Sequence, residues 1–259
     1  MRNWDALVFD NIPFADTYIF DVHAHTDHYA PFQLGSPVAD DLALTANRLG
    51  INGLCASSLS AIRSDWKLGN TETQKACQAY PGLIYGYAVP NPFAEDCELS
   101  QYFTQDRGFR GIKVHGSMQG NLPLNDHRFE PAYELAEQLT LPVLFHTWTA
   151  SEVAAAADVA KRHPGFPIIL GHAGMTVREQ ATEAAGRCEN IYVDTAISCT
   201  VDGSVEWLVN NVGTERVLYG SDMAFFDCIQ TLGKIALSEL TDSEKEKILG
   251  QNAKALFRV

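Results

Sequence analysis

No stretch of the chain approaches the ~18 consecutive apolar residues that a membrane-crossing helix needs, and nowhere do four Lys or Arg stand together. The first absence removes a spanning segment and the second a polybasic membrane patch. No pair of its six cysteines is spaced CxxC, which leaves out zinc ribbons and thioredoxin-like redox motifs. Six in 259 residues are also too sparse for a disulfide scaffold, so the thiols are expected to be reduced, as in a cytoplasmic protein. The opening MRNWDALVFDNIPFAD lacks the apolar core of a secretory signal. Basic residues are outnumbered, 19 Lys+Arg against 32 Asp+Glu, a net charge of −13. That charge excludes the electrostatic footprint of a nucleic-acid binder and speaks to a soluble surface. What remains is a globular mixture, 46% apolar and 20% charged, of a length that makes one large domain or two small ones.

Short β-rich runs alternate with amphipathic runs from end to end. The strand candidates are Tyr18–His25, Ile51–Ser57, Leu83–Val89, Gly111–His115, Pro142–Thr147, Pro167–Gly171, Asn190–Thr195 and Arg216–Ser221. Between them lie helical patterns over 38–49, 71–80, 95–107, 130–139, 151–162, 177–188 and 204–210, and a last one over 243–257. Alternation of this kind makes βαβ units and a parallel sheet. Eight units in about 250 residues is the length of a (β/α)8 TIM barrel. The alternative, an open dinucleotide-binding sheet, wants GxGxxG after its first strand, and here that place reads HAHTDH. No linker or composition shift marks a second domain, so residues 1–259 read as a single barrel domain with 1–17 as a lead-in.

Chemistry-bearing residues collect at the ends of these strands. Alternating side chains put His23 and His25 on one face of strand one and Phe20, Val22 and Ala24 on the other, which would pack on the helices. His146 ends strand five, His172 follows strand six and Asp222 follows strand eight. Lys113 and His115 share a face of strand four. Barrel active sites lie at the C-terminal ends of strands, so these residues would converge on one mouth. Imidazoles with a carboxylate suit Zn²⁺, and also Mn²⁺, Fe²⁺ or Co²⁺.

The motifs FDVHAH, GIKVHG, LPVLFHT, GHAG, GSD and the closing NAKALF resemble the amidohydrolase superfamily, in its amidohydrolase-related branch of metal-dependent barrels. That branch holds both hydrolases and nonoxidative decarboxylases. The resemblance spans about Tyr18 to Phe257. It implies a divalent metal, Zn²⁺ first, bound by His23, His25, His146 and Asp222, with His172 polarising water or substrate. One ion per chain is expected, or two if Lys113 is carboxylated as in the superfamily's binuclear members. The bland reading of Lys113 is a stem packed in the barrel with its head against a carboxylate. The length leaves no room for the accessory β-sandwich of larger relatives, so the barrel's own loops, or a neighbouring subunit in a homodimer, must shape specificity.

Those loops are 26–37, 58–69 and 116–125. Arg63 is the candidate anchor for a substrate carboxylate, with Trp148 and His28 as further substrate contacts; His28 also reads as an ordinary loop residue. His115 stands between substrate contact and polar wall, and Asp21 between orienting a ligand imidazole and pairing with Lys113. His127 and His163 read as capping or surface residues. Two reactions share this ligand set. The main reading is hydrolysis of a small amide, lactone or ester by metal-activated water, with Asp222 shuttling the proton. The second is nonoxidative decarboxylation of a small aromatic or unsaturated carboxylic acid. A noncatalytic barrel would be expected to have lost ligands, and all five are here.

Overall fold

The computed structural model describes residues 3–10, 12–14, 16–27, 38–95, 97–104, 107–197 and 201–259. Its strands are β1 (Phe20–His25), β2 (Gly53–Ser57), β3 (Ile84–Ala88), β4 (Phe109–Val114), β5 (Val143–His146), β6 (Ile168–Gly171), β7 (Ile191–Asp194) and β8 (Val217–Leu218). They form one sheet in chain order, every neighbouring pair parallel. The helices are α1 (Asp5–Asp10), α2 (Val38–Leu49), α3 (Leu59–Arg63), α4 (Trp66–Ala79), α5 (Glu130–Leu139), α6 (Ala150–Arg162), α7 (Arg178–Arg187), α8 (Ser204–Val212), α9 (Cys228–Ala236), α10 (Asp242–Glu246) and α11 (Asn252–Phe257). This is the expected (β/α)8 barrel. Among the described residues no helix is long and apolar enough to cross a membrane, and Cys55, Cys77, Cys97, Cys188 and Cys228 are free thiols.

Local chemistry fastens several of the helices. In α2 the residues Val38, Leu42, Ala46 and Leu49, spaced three or four apart, bury one stripe. The capping box of α6 pairs Thr149 with Glu152. Outward-facing strand residues such as Leu54, Ile84, Ile112, Phe145, Leu170 and Val193 pack with the helices in one large core. A second, inner core fills the barrel itself: Phe20, Val22, Cys55, Tyr87, Leu144, Ile169 and Leu218, with Ala253 and Phe257 of α11 set against it. Phe257 lies 5.3 Å from the ring of Phe20, at the N-terminal end of the barrel.

Phe20 and Val22 therefore turn inward, not onto the helices as strict alternation requires. The cause is a slip in the pairing of β1 with β2 between Asp21 and Ala24. Such a bulge lets neighbouring residues share a side, so Val22 and His23 both face the interior. The slip frees backbone groups that the barrel must satisfy elsewhere. The amide of His23 donates to Asp21 Oδ1 at 3.0 Å, and the carbonyl of Val22 accepts the Tyr87 hydroxyl at 2.7 Å.

Closure is equally irregular, because β8 has two residues in place of the six that its sequence suggests. The segment after it pairs with β1 residue by residue: Val22 N donates to Tyr219 O at 3.0 Å, Asp222 N to His23 O at 2.8 Å, and His25 N to Met223 O at 2.5 Å. Asp21 accepts from both the amide and the hydroxyl of Ser221. Asp21 thus fastens β1 to the end of β8, and neither orients an imidazole nor meets Lys113. Burial pushes its carboxyl up to about 7.

Elsewhere three elements differ from the pattern reading. Among the described residues of 95–107 there is a 3-10 turn, Leu99–Tyr102, in place of the expected helix, with Leu99 and Tyr102 buried. Residues 58–69 are not a loop: Ser58 caps α3 and Asp65 caps α4 through their side chains. Helix α9 was not anticipated, although Asp227 caps it and its apolar residues recur with helical period.

Replacing Tyr87 by Phe removes one hydroxyl and strands the Val22 carbonyl in the barrel. A loss of roughly 1–3 kcal/mol in unfolding free energy is expected, read by denaturant melts; an unchanged midpoint would remove this account of the slip.

Candidate metal centre and its pocket

The strand ends bring His23, His25, Lys113, His115, His146, His172 and Asp222 around one cavity of about 240 Å³. All but His146 are buried. The ligand atoms of His23, His25 and Asp222 lie within 4.8 Å of one another.

Partners decide which ring nitrogens carry hydrogen. His23 Nδ1 faces Asp194 Oδ2 at 2.8 Å, and His25 Nδ1 faces the Ser57 carbonyl at 3.2 Å. Both partners accept, so both Nδ1 atoms are assigned as donors. The two Nε2 lone pairs then point at one carboxylate oxygen: Asp222 Oδ1 is 3.0 Å from His25 Nε2 and 3.7 Å from His23 Nε2. Burial, then the Lys113 charge, holds His23 well below the ordinary imidazole range, in its neutral form. Three buried acceptors facing one another repel unless a cation lies between them. This donor set fits a divalent metal ion.

The other imidazoles form a chain. His172 Nδ1 donates to the Ala196 carbonyl at 3.1 Å, so its Nε2 accepts from His146 Nδ1 at 3.2 Å. His146 then presents its Nε2 lone pair. Its ring lies flat on His115, 3.8 Å between centroids, so His146 borders the compact group of three without belonging to it. Burial lowers both His146 and His115 well below the imidazole range. Lys113 Nζ stands 3.1 Å from His23 Nε2, and burial brings it down to about 8 against the opposing charges of Asp222 and Asp194.

His172 and Asp222 both have left-handed backbones, φ 66° and 64°. Such non-glycine positions cost roughly 1–3 kcal/mol each and persist where surroundings enforce them. Here the enforcing bonds are His172 N to Asp194 Oδ1, 2.7 Å, and Asp222 N to His23 O.

Asp194, at the end of β7, was missed by the sequence reading. It orients His23, holds the backbone of His172 and accepts from Ala196 N at 3.1 Å. Burial pushes its carboxyl up to about 6. An acid closing NIYVDT, as Asp222 closes its own strand region, was the available signal. Trp148 lines the cavity as expected; Arg63 does not, and borders an adjoining cavity instead. His28 lies outside the described residues. His127 is exposed beside Asp126. His163 ends α6 as a cap residue but is buried between Glu130 and Glu137, 2.6 and 3.1 Å away.

The family profile of the amidohydrolases matches residues 61–259. The chain belongs to the amidohydrolase family. It is 22% identical over 249 residues to gamma-resorcylate decarboxylase of Rhodococcus jostii, covering 73% of this chain and 75% of that protein. Among solved structures, 2,6-dihydroxybenzoate decarboxylase complexed with 2,6-dihydroxybenzoate superposes with a TM-score of 0.75 at 17% identity, covering 94% of this chain and 100% of that one. The 5-carboxyvanillate decarboxylase of Novosphingobium aromaticivorans, complexed with manganese and 4-hydroxy-3-methoxy-5-nitrobenzoic acid, gives 0.71 at 13% identity, covering 94% and 97%. At these identities the structural likenesses speak to the fold.

Replacing Asp194 by Asn takes the acceptor from either His23 Nδ1 or the His172 amide. Metal affinity, measured by chelator competition, is expected to fall roughly 10–100-fold. His146→Ala tests the fourth expected ligand: a variant that keeps full metal affinity would strike His146 from the set.

Proposed function

We propose that this amidohydrolase carries out metal-dependent, nonoxidative decarboxylation of a small hydroxylated aromatic carboxylic acid. The observation that carries the reading is the character of the cavity. Around the acceptor cluster its lining is Leu59, Met118, Trp148, Ile197, Phe225 and Phe226. Phe225 stacks on His25, 4.6 Å between centroids, and Trp148 on His172 at 5.4 Å. Flat apolar side chains thus overlie two of the polar ones, making a slot suited to a planar ring. Decarboxylation turns a charged carboxylate into neutral CO₂, which an apolar enclosure favours. Hydrolysis needs water as a reactant beside the scissile carbon, which the same walls oppose. The gamma-resorcylate and 2,6-dihydroxybenzoate decarboxylases among the similar proteins support the reading.

His23, His25 and Asp222, with His146 beside them, would hold a divalent cation. When bound, the ion supplies a Lewis-acid charge that holds substrate oxygens and draws off negative charge. Manganese accompanies one of the similar decarboxylases, which moves Mn²⁺ ahead of Zn²⁺ as the native choice. The ionised Asp222 takes the proton of a hydroxyl ortho to the carboxylate and returns it to the ring carbon that bears the carboxylate. The bond to the carboxylate carbon then breaks, its electron pair passes into the ring, and CO₂ leaves. The remaining phenolate takes a proton from water. Lys113 lends positive charge to the wall beside His23, and His172, fixed by Ala196 and Asp194, holds the His146 ring by accepting from its Nδ1.

Hydrolysis of a small amide, lactone or ester uses the same ligands. Metal-loaded protein assayed against hydroxybenzoates, lactones and amides is expected to release CO₂ from a hydroxybenzoate and no acid from the others. Acid release without CO₂ would replace this reading with hydrolysis. At equal metal loading, Asp222→Asn is expected to lower kcat roughly 10²–10⁴-fold.

A further inference from the structure

We infer that the substrate site has two compartments and that Met118 is the partition that limits how large a substrate enters. The inference rests on the aromatic-acid reading of the metal cavity. Next to that cavity lies a second, of about 210 Å³, bordered by Arg63, Ser64, Trp66, Asn91 and Phe93. Met118 lines both. The inner space is smaller than the ~300–1,000 Å³ of pockets that take drug-sized ligands, so on its own it suits a single ring.

The wall that carries Met118 is fixed on every side. Met118 N donates to His115 O at 3.0 Å, and Leu122 N to Gly116 O at 2.9 Å. Gln119 accepts from the His115 amide at 2.7 Å and donates to the Pro90 carbonyl at 2.5 Å, joining the loop after β4 to the loop after β3. Gly120, with φ 80°, sits where a Cβ would strike the Phe93 ring, so the loop closes tightly on the far side of the second cavity. Across from it, Asp27 accepts from Ser58 Oγ and the amides of Leu59 and Ser60 at 2.7, 2.7 and 2.8 Å, anchoring α3. A Cβ at Gly69 would collide with the backbone of Ala61, so α3 and α4 are also locked together. Backbone on both sides is held; among the described residues the side chain that borders both cavities is the half-buried, unbranched Met118, packed against the cluster of Leu59, Ala61, Ile62 and Val89. Methionine is the side chain that adapts most readily to what it packs against.

The outer compartment offers a guanidinium, a hydroxyl and two aromatic rings. It suits a planar substituent that carries a negative charge, placed away from the carboxylate that leaves. This gives Arg63 a role at the distal end of a substrate and not at the reacting carboxylate.

The experiment uses phenols that cannot be decarboxylated, so binding to the metal-loaded protein is read by calorimetry without turnover. The probes are resorcinol, which fits the inner compartment, and 6-hydroxynaphthalene-2-sulfonate, which needs both. Wild type is expected to bind resorcinol and to discriminate against the naphthalene. Met118→Ala is expected to keep resorcinol affinity within about threefold and to gain about tenfold or more for the naphthalene. Met118→Leu, which keeps the partition, is expected to behave as wild type, and Arg63→Gln added to Met118→Ala to cancel the gain. Resorcinol binding with an unchanged preference in Met118→Ala, or an equal gain in Met118→Leu, overturns the partition alone. Absence of resorcinol binding in every form overturns the aromatic-acid reading and the compartments with it.

Discussion

The slip between Asp21 and Ala24 in β1 is the constraint on which the site depends. Without it, a strand entering with Phe20 and Val22 toward the interior would carry His23 outward, onto the helices. With it, the inner apolar layer ends at Val22 and the polar layer begins at the very next residue. The barrel accommodates this by supplying partners for the groups the slip leaves over, Tyr87 for a carbonyl and Asp21 for an amide. Asp21 serves twice, since its carboxylate also grips Ser221 and so sets where the chain arrives at Asp222. The metal candidates on β1 and the one after β8 are therefore positioned by a single buried carboxylate that touches none of their side chains.

A second carboxylate, Asp194, does the same for the opposite side. It fixes the ring of His23 and the backbone of His172 together, so a ligand from strand one and a polar group from strand six cannot move independently. The left-handed backbones of His172 and Asp222 are then understandable. Each residue leaves its strand through a turn that would relax if unsupported, and each is held by a bond to the neighbouring wall. Strain of this size is tolerated where it aims a functional group, provided that the scaffold over-determines the position.

Much of this was legible in the sequence. Strand-end histidines, the aspartate in GSD and the eight-fold alternation pointed to one mouth of one barrel, and they converge there. What was not legible has physical causes. Period-two patterning assumes an unbroken ladder, so it could not register the slip in β1 or the two-residue length of β8. Asp194 looked like any acid at a strand end, because nothing in NIYVDT tells which imidazole lies across the barrel. Arg63 was read from its charge as an anchor for a substrate carboxylate, and α3 carries it to the neighbouring cavity, which the strand-end pattern could not indicate. Burial of His163 depended on Glu130 and Glu137, tens of residues away in the chain.

The acid excess of the chain takes on a clearer meaning in this light. A net charge of −13 would repel an anionic substrate from the surface at large, yet the proposed substrate is a carboxylate. Screening limits that repulsion to about 8 Å at physiological ionic strength, so the charges that count are those close to the cavity. Close in, the balance is different. Among the described residues Asp222 is the one carboxylate in the lining, and it faces two imidazoles and the Lys113 ammonium; Asp194 and Asp21 lie behind the polar layer, sealed by His23 and Ser221. The acids that the site needs are thus kept where they orient cationic or neutral donors, and the surface that an incoming ring meets is aromatic. Recognition of the ring itself would therefore rest on shape and stacking, with positive charge supplied by Lys113 at the inner wall and by Arg63 at the distal end.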